Sequence, residues 1–297
     1  MSGNHRIAFV INPNSGTDRK TNRVKLIRDS ISKDINASVF IWDQIEKRDQ
    51  IFSEILEGNY DIAVAVGGDG TVSQMAAALC GTNTALGIIP FGSGNGLARH
   101  LKIPMDKKKA VTLLENAQIV AMDYGKMNGQ KFFCTAGIGF DARIGHLFAQ
   151  SGTRGLKTYA SIVVKEFKNY KPETYLIKTA EGTFSEEAFL ITIANAGQYG
   201  NNAWIAPMAS VTDGRFHVTV LKKFGWLNAV KIAIQLFRKN INQSDFVKTF
   251  ETKDFSIVRM EGGPVHFDGE PAEMGKILEF KIHEKGLKVA VPPGVKI

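Results

Sequence analysis

Apolar residues follow two rhythms along this chain, and the change between them near Asp123 divides it. From residue 5 to about residue 116, short apolar runs alternate with stretches of helical spacing. Val24, Ile27 and Ile31 show i, i+3, i+7 periodicity, and a second helix is marked by Ile51, Ile55 and Leu56. Strands are predicted over 37–42, 61–66 and 86–89, and further helices over 72–79, around 97–101 and over 107–116. Strand and helix in strict turn predict a parallel, Rossmann-like sheet.

Beyond Asp123 short strands dominate, at 131–135, 175–179, 188–194, 216–221, 254–260 and 278–283. They are rich in Phe, Ile, Val and Thr and bounded by Gly, Pro or Asp, a pattern that predicts an antiparallel β-sandwich. Helical segments interrupt it around 157–167 and 227–238. In the second, residues 226–237 are apolar around much of the circumference, which reads as a helix packed on the sandwich; membrane insertion is the alternative. The expected organisation is an α/β domain over 1–122 and a sandwich domain over 123–286.

Composition narrows the class. With 44% hydrophobic and 22% charged residues, the 297-residue chain is that of a globular protein large enough for two cores. Met1-Ser2-Gly3-Asn4-His5-Arg6 leads into a strand and not a signal core, and no apolar run approaches the roughly 20 residues of a membrane span, so a cytosolic location is expected. Cys80 and Cys134 read as buried free thiols, and the histidines show no zinc spacing. A net charge of +8 favours anionic partners: nucleotide phosphates, an anionic membrane or nucleic acid. No nucleic-acid module accompanies it. Lys107-Lys108-Lys109 and Arg238-Lys239 read as solvated helix faces, with a contribution to membrane docking as the alternative.

Three glycine-rich turns carry the chemistry. Gly67-Gly68-Asp69-Gly70-Thr71-Val72 follows one buried strand, Gly92-Ser93-Gly94-Asn95-Gly96 another, and Asn12-Pro13-Asn14-Ser15-Gly16 the first. Glycines admit a phosphate to backbone N–H groups at a helix start, and in a parallel sheet all three turns open at the carboxyl ends of the strands. Asp69 suits the neighbourhood of Mg²⁺ or of a reacting hydroxyl better than a bare phosphate. Each turn alone could be an ordinary βα connection. Asp268-Gly269-Glu270 presents two carboxylates at alternate positions, and Asp213-Gly214 a third; for both, a simple Asp-Gly hairpin turn is the alternative.

In their order, Asn12-Pro13-Asn14-Ser15-Gly16, Gly67-Gly68-Asp69-Gly70-Thr71, Pro90-Phe91-Gly92-Ser93-Gly94-Asn95 and His266-Phe267-Asp268-Gly269-Glu270-Pro271 resemble the diacylglycerol kinase catalytic-domain family, which includes bacterial lipid kinases and sphingosine kinases. The likeness spans almost the whole chain. Gly-Gly-Asp-Gly also occurs in NAD kinases and, with Ser for Thr, in phosphofructokinases, so the combination is what specifies the family. It implies that Asn12, Pro13, Asn14, Ser15 and Gly16 contact the ATP triphosphate. Gly67, Gly68, Asp69, Gly70, Thr71, Val72 and Ser73 would wrap it, while Ser93 and Asn95 meet the nucleotide or the acceptor. Asp268 is the implied general base, with Glu270 second and Asp69 competing. The segment 206–216 resembles the family's Mg²⁺ loop, with a carboxylate from Asp213 and carbonyls from Ser210 and Arg215. Residues 287–297 are expected to return to the first domain.

Departures from the family pattern bear on the acceptor and the metal. Ser73-Gln74 replaces the usual Asn-Glu, and Gly200-Asn201-Asn202 the usual Gly-Gly before the Mg²⁺ loop. Gly96-Leu97-Ala98 follows Gly-Ser-Gly-Asn where diacylglycerol users commonly carry Asp, which is closer to the sphingoid-base and ceramide branch. The resulting expectation is a membrane-associating kinase that transfers the γ-phosphate of ATP, with Mg²⁺, to the hydroxyl of diacylglycerol or a sphingoid or ceramide-like lipid, in a cleft between the domains. Its partner would be lipid at a membrane surface and not nucleic acid, with a homodimer left open. The alternatives are an NAD kinase-type enzyme and a non-catalytic nucleotide- or lipid-binding protein.

Overall fold

The computed structural model describes residues 6–16, 21–44, 46–151 and 156–297, so Met1 to His5 of the opening segment lie outside it. It divides the chain into two compact units, Met1–Tyr124 with Glu284–Ile297, and Gly125–His283.

In the first unit, β1 (Arg6–Ile11), α1 (Arg23–Ser30), β2 (Asn36–Ile41), α2 (Lys47–Glu57), β3 (Ile62–Gly67), α3 (Asp69–Leu79), β4 (Ala85–Pro90), α4 (Gly96–His100) and α5 (Lys107–Leu113) follow one another, and then β5 (Gln118–Met127) begins. The strands lie in the order β2-β1-β3-β4, all parallel. Every residue of β3 and β4 is buried, which is why their sequences are unbroken apolar runs and not alternating ones. The chain's last strand, Ile277–Val291, adds its final residues beside β4, with Val289 opposite Leu86. Thr71, Val72, Met75, Ala76 and Leu79 turn the buried face of α3 onto this sheet.

The second unit is a sandwich. It contains β6 (Gln130–Phe132), β7 (Thr135–Gly139), α6 (Phe140–Gln150), α7 (Leu156–Asn169), β8 (Glu173–Thr179), β9 (Gly182–Ala188), β10 (Leu190–Ala194), β11 (Gln198–Gly200) and β12 (Ala203–Trp204). Next come β13 (Phe216–Leu221), α8 (Trp226–Phe237), β14 (Val247–Thr252), β15 (Phe255–Val258), β16 (Gly263–Phe267), β17 (Glu270–Met274) and the first part of the last strand, β18. One antiparallel sheet runs β14-β13-β10-β7-β16-β17; strands β18, β15, β8 and β9 pair in the other. Their inner faces meet in an aromatic core, where Phe255 stacks on Phe280 at 4.6 Å and Phe132 on Phe216 at 5.7 Å.

Two local features differ from the sequence pattern. The strand expected over 131–135 breaks into β6 and β7, because the amides of Phe133, Cys134 and Thr135 turn to a side chain, Asp268, instead of a neighbouring strand. Cys134, expected on a strand, stands in that break. Helix α6 springs directly from β7 through Gly139, whose φ of 95° is open to glycine, and the apolar pattern had not marked it.

Candidate active site

The three glycine turns of the first unit touch one another at the carboxyl ends of β1, β3 and β4. Contact is close enough to exclude side chains. A Cβ on Gly16, which has a φ of +79°, would lie 2.1 Å from the carbonyl oxygen of Phe91; one on Gly67 would lie 2.8 Å from Ser15 Oγ; one on Gly92 would lie 2.9 Å from Gly68 Cα. The Asn12 side chain donates to Thr71 Oγ1 at 3.2 Å, and Asn14 N donates back to Asn12 Oδ1. Helix α3 starts at Gly68 with no side chain capping its first amides, which leaves that end suited to an anion.

Asp69 stands in the first turn of α3, and its partners explain why a carboxylate is tolerated among the glycine turns. Its Oδ2 accepts the amide of Asn95 at 2.9 Å and its Oδ1 the amide of Gly96 at 2.8 Å. Asn95, left-handed at φ 51°, closes the same turn by accepting from Gly92 N and donating to Gly92 O. Asp69 therefore joins the second glycine turn to the third. Sequence reading missed Arg23, which is buried beneath the first turn. Its guanidinium donates to the carbonyls of Asn12 and Ser15, to Ser15 Oγ at 3.3 Å and to Val66 O at 3.4 Å, and it lies over the Phe91 ring at 4.3 Å. No spacing pattern marks such a residue in advance. Gln74, in the departure from the family pattern, accepts from Arg48 at 3.3 Å.

In the second unit, Asp268 and Gly269 form the two-residue loop between β16 and β17, with φ of 50° and 87° and Phe267 opposite Glu270. The Asp-Gly hairpin turn is thus real, but it does more than reverse the chain. Asp268 Oδ1 accepts the amides of Cys134 at 2.7 Å, Thr135 at 3.1 Å and Phe133 at 3.2 Å, while Oδ2 accepts from Phe133 at 3.0 Å. Glu270 is exposed. The two carboxylates that the sequence places together are consequently in different situations, one bound to amides and one facing water.

A polar cluster that the sequence reading did not anticipate adjoins this hairpin. Thr192 and His266 flank Gly137 in register on neighbouring strands. Asp141, in the first turn of α6, reaches the gap: its Oδ2 is 3.1 Å from His266 Nε2 and accepts from Tyr199 Oη at 2.9 Å, and Tyr199 in turn contacts Thr192 Oγ1. Gly137 makes the room, since a Cβ there would lie 2.2 Å from His266 Nε2 and 2.8 Å from Asp141 Oδ2. The one available signal was His266, two residues before Asp268.

Asp213 forms a hydrogen-bonded turn. Its Oδ1 accepts from Arg215 N at 3.0 Å, its Oδ2 is 2.8 Å from His217 Nε2, and Ser210 Oγ lies 3.2 Å from Thr212 Oγ1. Both carboxylate oxygens are thus engaged, and among the described residues no group of three Asp, Glu, His or Cys side chains is arranged to hold a metal ion. Upstream, Asn201 and Asn202 adopt φ of 48° and 63° between β11 and β12, which accounts for Asn where the family has glycine.

The first unit carries glycine turns on a parallel sheet, and the second is a carboxylate-bearing sandwich. The chain belongs to the diacylglycerol kinase catalytic-domain family: residues 6–127 match that domain, and residues 134–290 match the YegS C-terminal NAD kinase beta sandwich-like domain. It is 30% identical over 268 residues to a protein of Pseudomonas aeruginosa named "Probable lipid kinase YegS-like", covering 85% of this chain and 83% of the relative. A Klebsiella pneumoniae protein of the same name is 27% identical, with 91% and 90% covered. The fold is similar to the crystal structure of a diacylglycerol kinase from Bacillus anthracis str. Sterne, with a TM-score of 0.74 at 20% identity and 98% of each chain covered.

Proposed function

We propose that this protein is a lipid kinase that transfers the γ-phosphate of ATP to a lipid hydroxyl. The observation that carries the reading is the backbone-to-backbone contact of the glycine turns, which leaves the start of α3 uncapped while the buried Arg23 braces the first turn from beneath. That is a site for phosphate oxygens, and catalysis of phosphoryl transfer is mostly positioning and charge stabilisation. Asn12, Ser15, Gly16 and the 67–73 turn hold the triphosphate; Asp69, through Asn95 and Gly96, fixes the turn that carries Ser93. With the nucleotide bound, Mg²⁺ would supply charge neutralisation between the phosphates.

The acceptor hydroxyl needs its proton removed as phosphorus is attacked. Within the Asp-Gly-Glu hairpin, the geometry favours Glu270 for this step, because lone pairs of Asp268 are committed to amides. Asp268 then acts as a positioning residue that seats the hairpin. Peripheral association with a membrane belongs to the same reading, since the acceptor is insoluble.

Labelled ATP offered with diacylglycerol, sphingosine, ceramide or NAD tests the proposal directly. Label is expected in a lipid and absent from NAD. Phosphorylation of NAD alone would establish the NAD kinase alternative, and nucleotide binding without any product would establish the non-catalytic one.

A further inference from the structure

Helix α8 (Trp226–Phe237) is two-sided. Ile232 and Gln235 are buried, and Ile232 and Leu236 pack in the unit's aromatic cluster, so one flank rests on it; Trp226, at the helix start, touches Phe167 of α7 at 5.4 Å with one edge. The opposite flank is bare. Trp226 is 53%, Leu227 89%, Val230 63% and Phe237 57% exposed, and Ile234 is exposed with them. At about 100° per residue these five positions fall within an arc of about 100°, a single apolar stripe along a helix about 18 Å long. Isolated apolar residues on a surface are ordinary; a continuous stripe with a tryptophan and a phenylalanine at its ends is not.

The charge around the stripe identifies its partner. From Lys222 to Lys239 the sequence has five basic residues and no acidic one. Lys222, Lys223, Lys231, Arg238 and Lys239 are all exposed, and the nearby carboxylate of Asp245 lies 3.9 Å from Lys231 Nζ. A second copy of the chain docked through this stripe would bring like charges together, because a two-fold interface is self-complementary. A bilayer containing anionic lipid meets both features at once: the apolar stripe enters the acyl boundary and the basic residues sit among the headgroups. We propose that α8 is the surface by which this protein docks on anionic membranes. The inference rests on the lipid-kinase reading for its purpose, but its test does not depend on turnover.

Trp42 and Trp204 are buried, which makes Trp226 the exposed tryptophan and a built-in reporter. On addition of vesicles of phosphatidylglycerol and phosphatidylcholine, its emission is expected to move to shorter wavelength and to be quenched by lipids brominated on the acyl chain. Trp226→Phe should remove that signal. Leu227→Asp with Val230→Asp, at positions already in water, should weaken vesicle binding at least about tenfold without unfolding the chain. Lys222→Gln with Lys223→Gln should reduce the dependence on anionic lipid. Vesicle binding with no change in Trp226 and none in the double variant overturns the proposal. So does self-association that the aspartates abolish, without vesicle binding. A short-chain diacylglycerol, dissolved as monomer, separates this from the kinase reading: the aspartate variant should phosphorylate it normally, whereas a wild type inactive on every acceptor would refute the kinase and leave the Trp226 result standing.

Discussion

Asp69 Oδ1 receives the amide of Gly96 at 2.8 Å, so the carboxylate of one glycine turn is the cap of the helix that follows another. This link, with the hydrogen bond from Asn12 to Thr71 Oγ1, makes the three turns a single object instead of separate loops. It also changes the meaning of the aspartate, whose charge is satisfied by backbone donors before any ligand arrives.

Asp69→Asn should therefore act on the turn. The amide can accept one of the two N–H groups but offers a donor to the other, at a cost of about 1–3 kcal/mol. Nucleotide affinity and turnover should fall together, with turnover nearly abolished and the chain still folded. Titration calorimetry with ATP alongside thermal unfolding checks this; wild-type ATP affinity in the variant would show that the link is dispensable.

Gly92→Ala tests the contact between turns. Its Cβ would meet Gly68 Cα at 2.9 Å and Asn95 Oδ1 at 2.8 Å, and a backbone atom cannot swing aside. The expected outcome is a large loss of ATP affinity. Gly145→Ala in α6 is the control, because nothing lies within 4 Å of its added carbon and the helix gains about 0.5–1 kcal/mol from alanine.

Acid should destabilise the second unit through His283. Desolvation by burial, reinforced by the positive charges of Lys126, Lys131 and Lys281 and opposed by Asp254, lowers its pKa below the ordinary 6.5. The unfolded chain thus binds the proton more readily than the folded one. Stability should fall as the pH drops through about 6.5 and be unaffected by this group at higher pH. Thermal unfolding of wild type and His283→Gln between about pH 5 and 8 reads the effect. The variant should lose less stability than wild type on acidification, and parallel curves would assign the acid sensitivity elsewhere.

Much of this architecture is legible in the sequence because burial on both faces of β3 and β4 forces unbroken apolar runs, while half-buried strands such as β8 alternate. The glycine turns are legible for a related reason: the Phe91 carbonyl leaves no room for a side chain at Gly16, nor do the Thr71 and Ser15 side chains at Gly67. What the sequence does not display are partnerships across long separations. Arg23 is bound to carbonyls, which have no sequence signature. Asp141 meets His266 across 125 positions, and Asp268 meets Cys134 across 134. An Asp-Gly pair can be read as a turn, but the amides that its side chain holds are supplied by register.

Asp268 and Glu270 can be separated by experiment because their surroundings differ. Asp268→Asn can keep an oxygen on the Cys134 and Thr135 amides but sets an NH₂ group against the Phe133 amide, so the hairpin should loosen and the chain lose about 1–3 kcal/mol of stability along with activity. Glu270→Gln alters an exposed side chain and should leave unfolding unchanged. If Glu270 takes the proton from the lipid hydroxyl, its replacement should lower kcat by about 100-fold or more while ATP affinity, measured by direct titration, stays as in wild type. The pH profile supplies the readout that a purely structural residue would not move: the acid limb of kcat, which reports the ionisation of a base in the enzyme–substrate complex, should disappear in Glu270→Gln and persist in Asp268→Asn. A vanished limb in Asp268→Asn, with normal kinetics in Glu270→Gln, would return the base to Asp268 and make the amides its means of orientation.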